Sequence, residues 1–353
     1  MTKPTNSQGS PPTVTIRDVA RAAGYSTTVV SHALNGRARV SAATRERIRR
    51  VAEELGYRPN IFARNLVTQR SQLIGMVVPG IITSFYPEII TPLREYLEQR
   101  GYGLIVMTTE DARRGEDRAL DFLVQRKVDG LIVAPSQGRK QAERLDEIAE
   151  AGTPVVMIDR YLPSERCHAV VTDNVQGGEL GARHLLELGH RRMGVVRARF
   201  TCSSTRDRLI GYRRALRAGG VAYDKALNIA PSYNIGRDAY LDIGEMAQAL
   251  LALPAAPTAL VVFHDALAVS VLSAVMNLGR RVPEDLSLVG YDDLAVVKHL
   301  PVPLTTVAQN KAEIGRLAAD LLMREISGEH LEQQIVRVPP QLVVRQSTAA
   351  PRP

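Results

Sequence analysis

Polar and charged residues stand directly behind apolar runs at several places in this chain. Asp159 and Arg160 follow VVMI, His264 and Asp265 follow ALVVF, and Asp292 and Asp293 close LSLVGYDD. Arg208 lies in DRLIGY ahead of a helical stretch, and Phe85 and Tyr86 lie after LIGMVV. Carboxylates accept from hydroxyls, a guanidinium donates through a rigid fork, and aromatic faces cover rings. Together they suit a polyhydroxylated or planar polar small molecule. A second group, Thr27, Thr28, Ser31 and His32, falls within one short segment at helical spacing. Hydroxyls of Thr and Ser can bond bases or phosphates, Thr methyls can meet thymine methyls, and His32 can donate to guanine N7 or O6. Plainer readings exist for each: a polar solvent face for the second group, a helix cap for Asp159 or Ser26, a surface ion pair for Asp293.

Catalytic patterns are missing where an enzyme would need them. Gly101-Tyr-Gly103 lacks the third glycine and opens no helix, so it is no dinucleotide fingerprint. The sequence contains no G-x-S-x-G, H-E-x-x-H or phosphate-loop pattern, and its seven histidines and two cysteines show no metal-ligand spacing. The chain is expected to be a non-enzyme without cofactor or metal. A nuclease would explain basic charge and a cleft, but it calls for clustered metal-binding carboxylates.

The elements that carry the second polar group can be read from periodicity. Thr15 precedes a helical stretch bearing Val19, Ala20 and Ala23, and Asp18 completes a capping-box pattern. Gly24 supplies a stop and Ser26 a fresh cap for a second helix that turns Val30, Ala33 and Leu34 inward. Ser41 caps a third, with Ile48, Val51, Ala52 and Leu55 at helical spacing, ending at Gly56 before Pro59. Three short helices with a tight Gly turn between the first two form a helix-turn-helix, whose second helix enters the major groove.

Charge agrees. Residues 1–70 carry 12 Lys/Arg against 4 Asp/Glu, which accounts for the whole formal net charge of +8. Such segregation marks a small nucleic-acid-binding module on a neutral body. Two cysteines, Cys167 and Cys202, fit a reducing cytosol. The polar stretch 1–13 has no apolar signal-peptide run and is expected to be a disordered extension; no later stretch is long enough to span a membrane.

The ungapped stretch VTIRDVARAAGYSTTVVSHALNGRARVSAATRERIRRVAEELGYRPNIFARNL, Val14 to Leu66, resembles the lactose-repressor (LacI/GalR) family headpiece almost position by position. The resemblance implies a transcription regulator that binds pseudo-palindromic operator DNA as a homodimer and answers to a sugar-like effector. It implies DNA contacts at Thr15, Arg17, Thr27, Thr28, Ser31, His32 and Asn35. It also implies a hinge helix, Asn60 to Leu66, in which Asn60 and Ala63 touch DNA and Leu66 wedges into the minor groove. His32 stands where the family usually has Arg, and Val29 where Thr or Ser is common.

From Leu73 onward apolar strand-like runs alternate with helix-like stretches: 73–78, 103–107, 130–134, 155–158, 193–196, 259–263, 286–290 and 304–307. Repeated βαβ units predict an α/β core of two doubly wound parallel-sheet subdomains, resembling periplasmic binding proteins, with ligand beyond the strands' carboxyl ends. The family resemblance runs to Thr348 and implies an effector cleft lined by Phe85, Tyr86, Asp159, Ser204, Arg208, Asn234, His264 and Asp292. His264 replaces the usual Asn. Expected boundaries are a helix-turn-helix domain at 14–59, hinge and linker at 60–71, and a core at 72–348. The core divides into one subdomain at about 72–171 and 302–330 and another at about 173–299 and 332–348, with crossings near Thr172, Pro301 and Leu331. The tail, 349–353, lacks the leucine heptads that make tetramers, which leaves a dimer. A periplasmic-type sugar-binding protein without a DNA role shares such a core, but the basic headpiece and the absence of a signal peptide oppose it.

Overall fold

A computed structural model describes residues 14–34, 40–57, 70–109, 113–136, 138–197, 199, 202–234, 239–240 and 242–352. The chain divides into two compact units, Met1–Arg70 and Ser71–Pro353. Among the described residues no helix is long and apolar enough to cross a membrane.

The first unit holds α1 (Ile16–Ala23), α2 (Thr27–Leu34) and α3 (Ala42–Glu54). Each boundary has a local cause. The Asp18 carboxylate accepts from the Thr15 N–H at 2.9 Å and from its hydroxyl at 2.7 Å, bonds that hold its pKa below the usual value. Gly24 ends α1 at φ 75°, a left-handed conformation that glycine adopts without steric cost. Ser26 and Ser41 accept from the N–H groups of Val29 and Thr44, at 3.3 and 3.2 Å, and so cap the next two helices. Val19, Ala20, Ala23, Val30, Ala33, Ile48 and Ala52 meet in one small apolar core.

The second unit is built on two six-stranded sheets. The first contains β1 (Leu73–Val78), β2 (Gly103–Thr108), β3 (Gly130–Val133), β4 (Val155–Ile158), β5 (His168–Thr172) and β13 (Ile335–Val338), all parallel, in the order β13-β5-β4-β3-β1-β2. The second contains β6 (Met193–Val196), β7 (Asn228–Ile229), β10 (Ala259–Val262), β11 (Ser287–Asp292), β12 (Thr305–Ala308) and β14 (Gln341–Val343), in the order β14-β12-β11-β10-β6-β7. Only β14 there runs antiparallel. The short strands β8 (Tyr233–Asn234) and β9 (Ala239–Tyr240) pair separately.

Helices cover both faces of each sheet, which is why the central strands read as unbroken apolar runs. On the first sheet, α4 (Phe85–Glu98) and α11 (Lys311–Ile326) pack with Ile74, Met76, Ile132 and Val156. The opposite face, with Val77, Leu131 and Met157, takes α5 (Arg113–Gln125) and α6 (Arg139–Glu150). The second sheet is flanked by α7 (Asn174–Glu187) and α8 (Ser203–Ala218) on one face. The other carries α9 (Ile243–Leu251) and α10 (Asp265–Asn277).

Two expected crossings lie elsewhere. The family resemblance implies a crossing near Pro301, yet Thr305–Ala308 pairs with β11, so the chain crosses only after that strand. Ile335–Val338 pairs with β5 and belongs to the first sheet, so the return crossing follows it rather than lying near Leu331. The first crossing, after Thr172, is where the sequence places it.

Candidate functional site

In the first unit, the capped entry of α2 sets its outer face. Val30 and Ala33 are buried, which leaves Thr27 and Thr28 exposed and Ser31 and His32 half-buried. Thr15 and Arg17, at the start of α1, are also exposed. The Arg47 guanidinium lies 5.8 Å from the Tyr25 ring, tying α3 to the turn ahead of α2. Thr15, Arg17, Thr27 and Thr28 are thus solvent-accessible, and Ser31 and His32 partly so, with hydroxyl, imidazole and guanidinium groups among them. Asn35, Asn60, Ala63 and Leu66, and with them the expected hinge, lie outside the described residues.

In the second unit, effector candidates gather at the carboxyl ends of strands in both sheets. Asp159 follows β4 at φ 64°. Its Oδ2 accepts from the Tyr86 hydroxyl at 2.9 Å and from Arg160 Nε at 3.3 Å, so a partly buried carboxylate has two fixed donors. Phe85 packs edge-on against Tyr86 with ring centroids 5.0 Å apart, both in the first turn of α4.

The opposing half is organised around Arg208. Its Nε donates to Asn174 Oδ1 at 2.8 Å, its Nη1 donates to the Phe263 carbonyl, and its Nη2 lies 3.9 Å from Asp292 Oδ1. The guanidinium also stacks 3.6 Å from the Tyr291 ring centroid. Close helix packing makes this possible: a Cβ at Gly178 or Gly211 would strike the backbone of the facing helix, α8 or α7. Arg208 is therefore a pre-set fork and not a searching side chain.

Asp292 ends β11 at φ 114°, followed by Asp293 at φ 50°. Such backbone favours glycine and persists where surroundings hold it. Here Lys311 Nζ donates to the carbonyls of Asp292 and Asp293 at 2.7 and 3.0 Å, and Gln309 Nε2 donates to Asp292 Oδ1 at 2.6 Å. The same Lys311 ammonium pairs with Glu88 Oε2 on α4 at 2.8 Å. Burial raises the Asp292 and Asp265 pKa values, against the pull of Arg208 on Asp292. Asp265 is held from below by Leu294 N–H and the Thr306 hydroxyl, at 2.9 and 2.8 Å, and acts as a support for the β11 end.

His264 caps α10: its Nδ1 accepts from Leu267 N–H at 3.2 Å. Burial, with the Arg208 charge adding to it, lowers its pKa to about 3. A neutral ring whose Nδ1 accepts must carry its proton on Nε2. Ser204 sits in the first turn of α8 with its hydroxyl 3.1 Å from Cys202 Sγ. Asn234 lies on β8, but its side chain is outside the described residues. Among the described residues no cluster of His, Cys, Asp or Glu could hold a metal ion.

Comparison with known proteins accounts for both units. Residues 15–60 match the family "Bacterial regulatory proteins, lacI family", and residues 182–348 match the "Periplasmic binding protein-like domain". The HTH-type transcriptional regulator DegA of Bacillus subtilis (strain 168) is 34% identical over 336 residues, spanning 95% of this chain and 98% of that protein. The chain belongs to the LacI family. Among solved structures, a lac repressor dimer bound to operator and the anti-inducer ONPF superposes with TM-score 0.84 at 26% identity, covering 96% of this chain and all of that one. A transcriptional regulator CelR–cellobiose complex gives TM-score 0.70 at 31% identity over 95% and 99% of the two chains. As a LacI-family protein this chain is a DNA-binding transcription regulator under small-molecule control, not an enzyme. The reading as a binding protein without a DNA role falls with the headpiece match.

Several residues of this LacI-family site escaped the sequence reading. Asn174 begins α7 after HAVVT, a strand absent from the list of apolar runs because its polar ends mask it. Gln309 and Lys311 follow β12, so the rule that polar residues behind a strand face the ligand could have found them. Tyr291, inside β11, carried no such signal.

Proposed function

We propose that this regulator is a homodimeric repressor that acts in the cytoplasm on a pseudo-palindromic operator and is tuned by a sugar or sugar derivative. Its cleft residues are taken to be Phe85, Tyr86, Asp159, Ser204, Arg208, Asn234, His264 and Asp292. The observation that carries the reading is the pairing of two fixed hydrogen-bonding centres, one in each half: Asp159 with Tyr86 and Arg160, and Asp292 with Arg208 and Gln309. Carboxylates already oriented by buried donors offer their remaining lone pairs to hydroxyl groups, and aromatic rings at α4 cover an apolar ring face. The structural neighbour named for its cellobiose complex supports a saccharide. On the DNA side, Thr27, Thr28, Ser31 and His32 would read base edges, while Thr15 and Arg17 would hold phosphates. Contacts from Asn35, and from Asn60, Ala63 and a Leu66 wedge in the hinge, complete the proposal. The neighbour bound to operator is a dimer, which supports two recognition helices on two half-sites.

The test is selection of duplexes from a random pool by the full chain, followed by a thermal-shift screen of sugars, sugar acids, polyols and nucleobases. Enrichment of a two-fold-related site and a saccharide hit are expected. Enrichment of a single asymmetric site, or stabilisation by nucleobases alone, would count against dimer and effector class respectively.

A further inference from the structure

Tyr161 stands two residues beyond Asp159, in the half of the core built on the first sheet, yet its polar contacts lie in the other half. Its backbone N–H donates to Ser203 Oγ at 2.8 Å, and its hydroxyl donates to Asp207 Oδ2 at 3.0 Å. The same hydroxyl accepts from Arg206 Nη2 at 2.8 Å, and Arg206 Nε closes the ring by donating to Asp207 Oδ1 at 2.9 Å. Ser203, Arg206 and Asp207 all lie in the first turns of α8, directly ahead of Arg208. Arg206 faces the Tyr161 ring at 5.6 Å, and Arg337, from β13 of the first sheet, lies at 6.0 Å.

We infer that Tyr161 is a latch which holds the Asp159 strand end against the Arg208 helix, setting how far the two halves of the core separate. Three observations carry this. The phenol is fully committed, giving one hydrogen bond and accepting one, and both partners belong to the opposite half. The acceptor, Asp207, is almost entirely buried, so its bond to the phenol is shielded from water. The hydrogen bonds are made by residues that belong to none of the three chain crossings, which join the halves at Asp173, between β12 and α11, and between β13 and β14. A hinge fixed by three crossings leaves the angle between halves to non-covalent contacts, and polar contacts across such a boundary can break and reform. Arg206, half exposed, exchanges the Tyr161 hydroxyl for water without stranding a buried charge. The latch is therefore built to open.

The latch does not depend on whether the effector is a saccharide. It can be tested by electron–electron distance measurement between nitroxides on cysteines introduced as Lys140→Cys on α6 and Arg217→Cys on α8, both exposed positions. Tyr161→Phe removes one oxygen, and Asp207→Asn removes the acceptor charge. Tyr161→Phe, which loses both phenol hydrogen bonds, is expected to raise the ratio of long-distance to short-distance populations by about tenfold or more, and Asp207→Asn, whose amide oxygen still accepts but carries no charge, by less. The double variant should go no further than Tyr161→Phe alone, because the bond that Asp207→Asn weakens is already absent there. Hydrogen exchange at the Tyr161 amide should rise in Tyr161→Phe while β4 and β10 stay protected, which separates opening from unfolding. Unchanged distance populations in both single variants would overturn the latch. So would additive shifts in the double variant.

Discussion

His264 illustrates how one side chain can be fixed by two unrelated demands. Capping α10 occupies Nδ1, and burial beside Arg208 keeps the ring neutral, with its pKa lowered to about 3. An ordinary histidine in the unfolded chain titrates near pH 6.5 (roughly). As pH falls, the unfolded chain takes the proton first, so stability from this residue is full above about pH 6.5 and is lost progressively toward pH 3. Between about pH 7 and pH 5, the wild-type chain should lose about 1–2 kcal/mol more stability than His264→Asn, whose amide can still cap but does not titrate. Urea denaturation at the two pH values checks this; parallel losses in both proteins would remove the neutral, capping imidazole from the account. On the DNA side, His32→Ala should relax preference at one position in each half-site, at a cost of about 1–3 kcal/mol there. Arg17→Ala should instead weaken all sequences alike and flatten the salt dependence. Binding profiles of both variants against the selected operator and its single-base changes distinguish base reading from phosphate contact.

At the scale of elements, α7 and α8 are pressed together through Gly178 and Gly211, and that contact delivers Arg208 to the cleft. Gly211→Ala would place a methyl against the Val175 carbonyl and push the helices apart. Destabilisation of about 1–3 kcal/mol is expected, together with weakened effector binding although no ligand-facing group has changed. Calorimetry of the variant with the screened saccharide, alongside its thermal melt, is the check; unaltered affinity would mean that the helix contact does not position Arg208. The same elements show what was legible beforehand. Central strands such as β1, β3, β4, β10 and β11 declared themselves as apolar runs because helices cover both their faces. Several edge and short strands did not: β13 is half-exposed over most of its length, and β7, β8 and β9 are only two residues each. That blind spot misplaced the return crossing, which follows β13. The headpiece was legible almost residue by residue, since its Thr15, Gly24, Ser26 and Ser41 signals act locally. The partners of Arg208 and Asp292 were not, because Asn174, Tyr291 and Gln309 come together only through packing of distant segments.

Taken as a whole molecule, the chain joins a basic, sequence-reading unit to a charge-balanced α/β core, and regulation requires that the core's state reach the DNA. A ligand shifts operator affinity only by as much as it prefers one core arrangement over another. Lys311 sits where such a preference can be passed on, since one ammonium holds the Asp292–Asp293 carbonyls and Glu88 on α4 together. The proposed dimer predicts a two-chain mass by light scattering and a marked loss of affinity when either operator half-site is scrambled; full affinity of a monomer for one half-site would contradict it. The most direct test of the account is operator affinity, by fluorescence anisotropy on the selected duplex, with and without the saccharide found by thermal shift, for the wild-type chain and Arg208→Ala. In the wild type the saccharide should change affinity by about 5–150-fold, the usual range of coupling between sites. In Arg208→Ala, operator binding without saccharide should match the wild type and the saccharide response should vanish. A full response in Arg208→Ala would contradict the assignment of this cleft as the place where the regulator senses its effector.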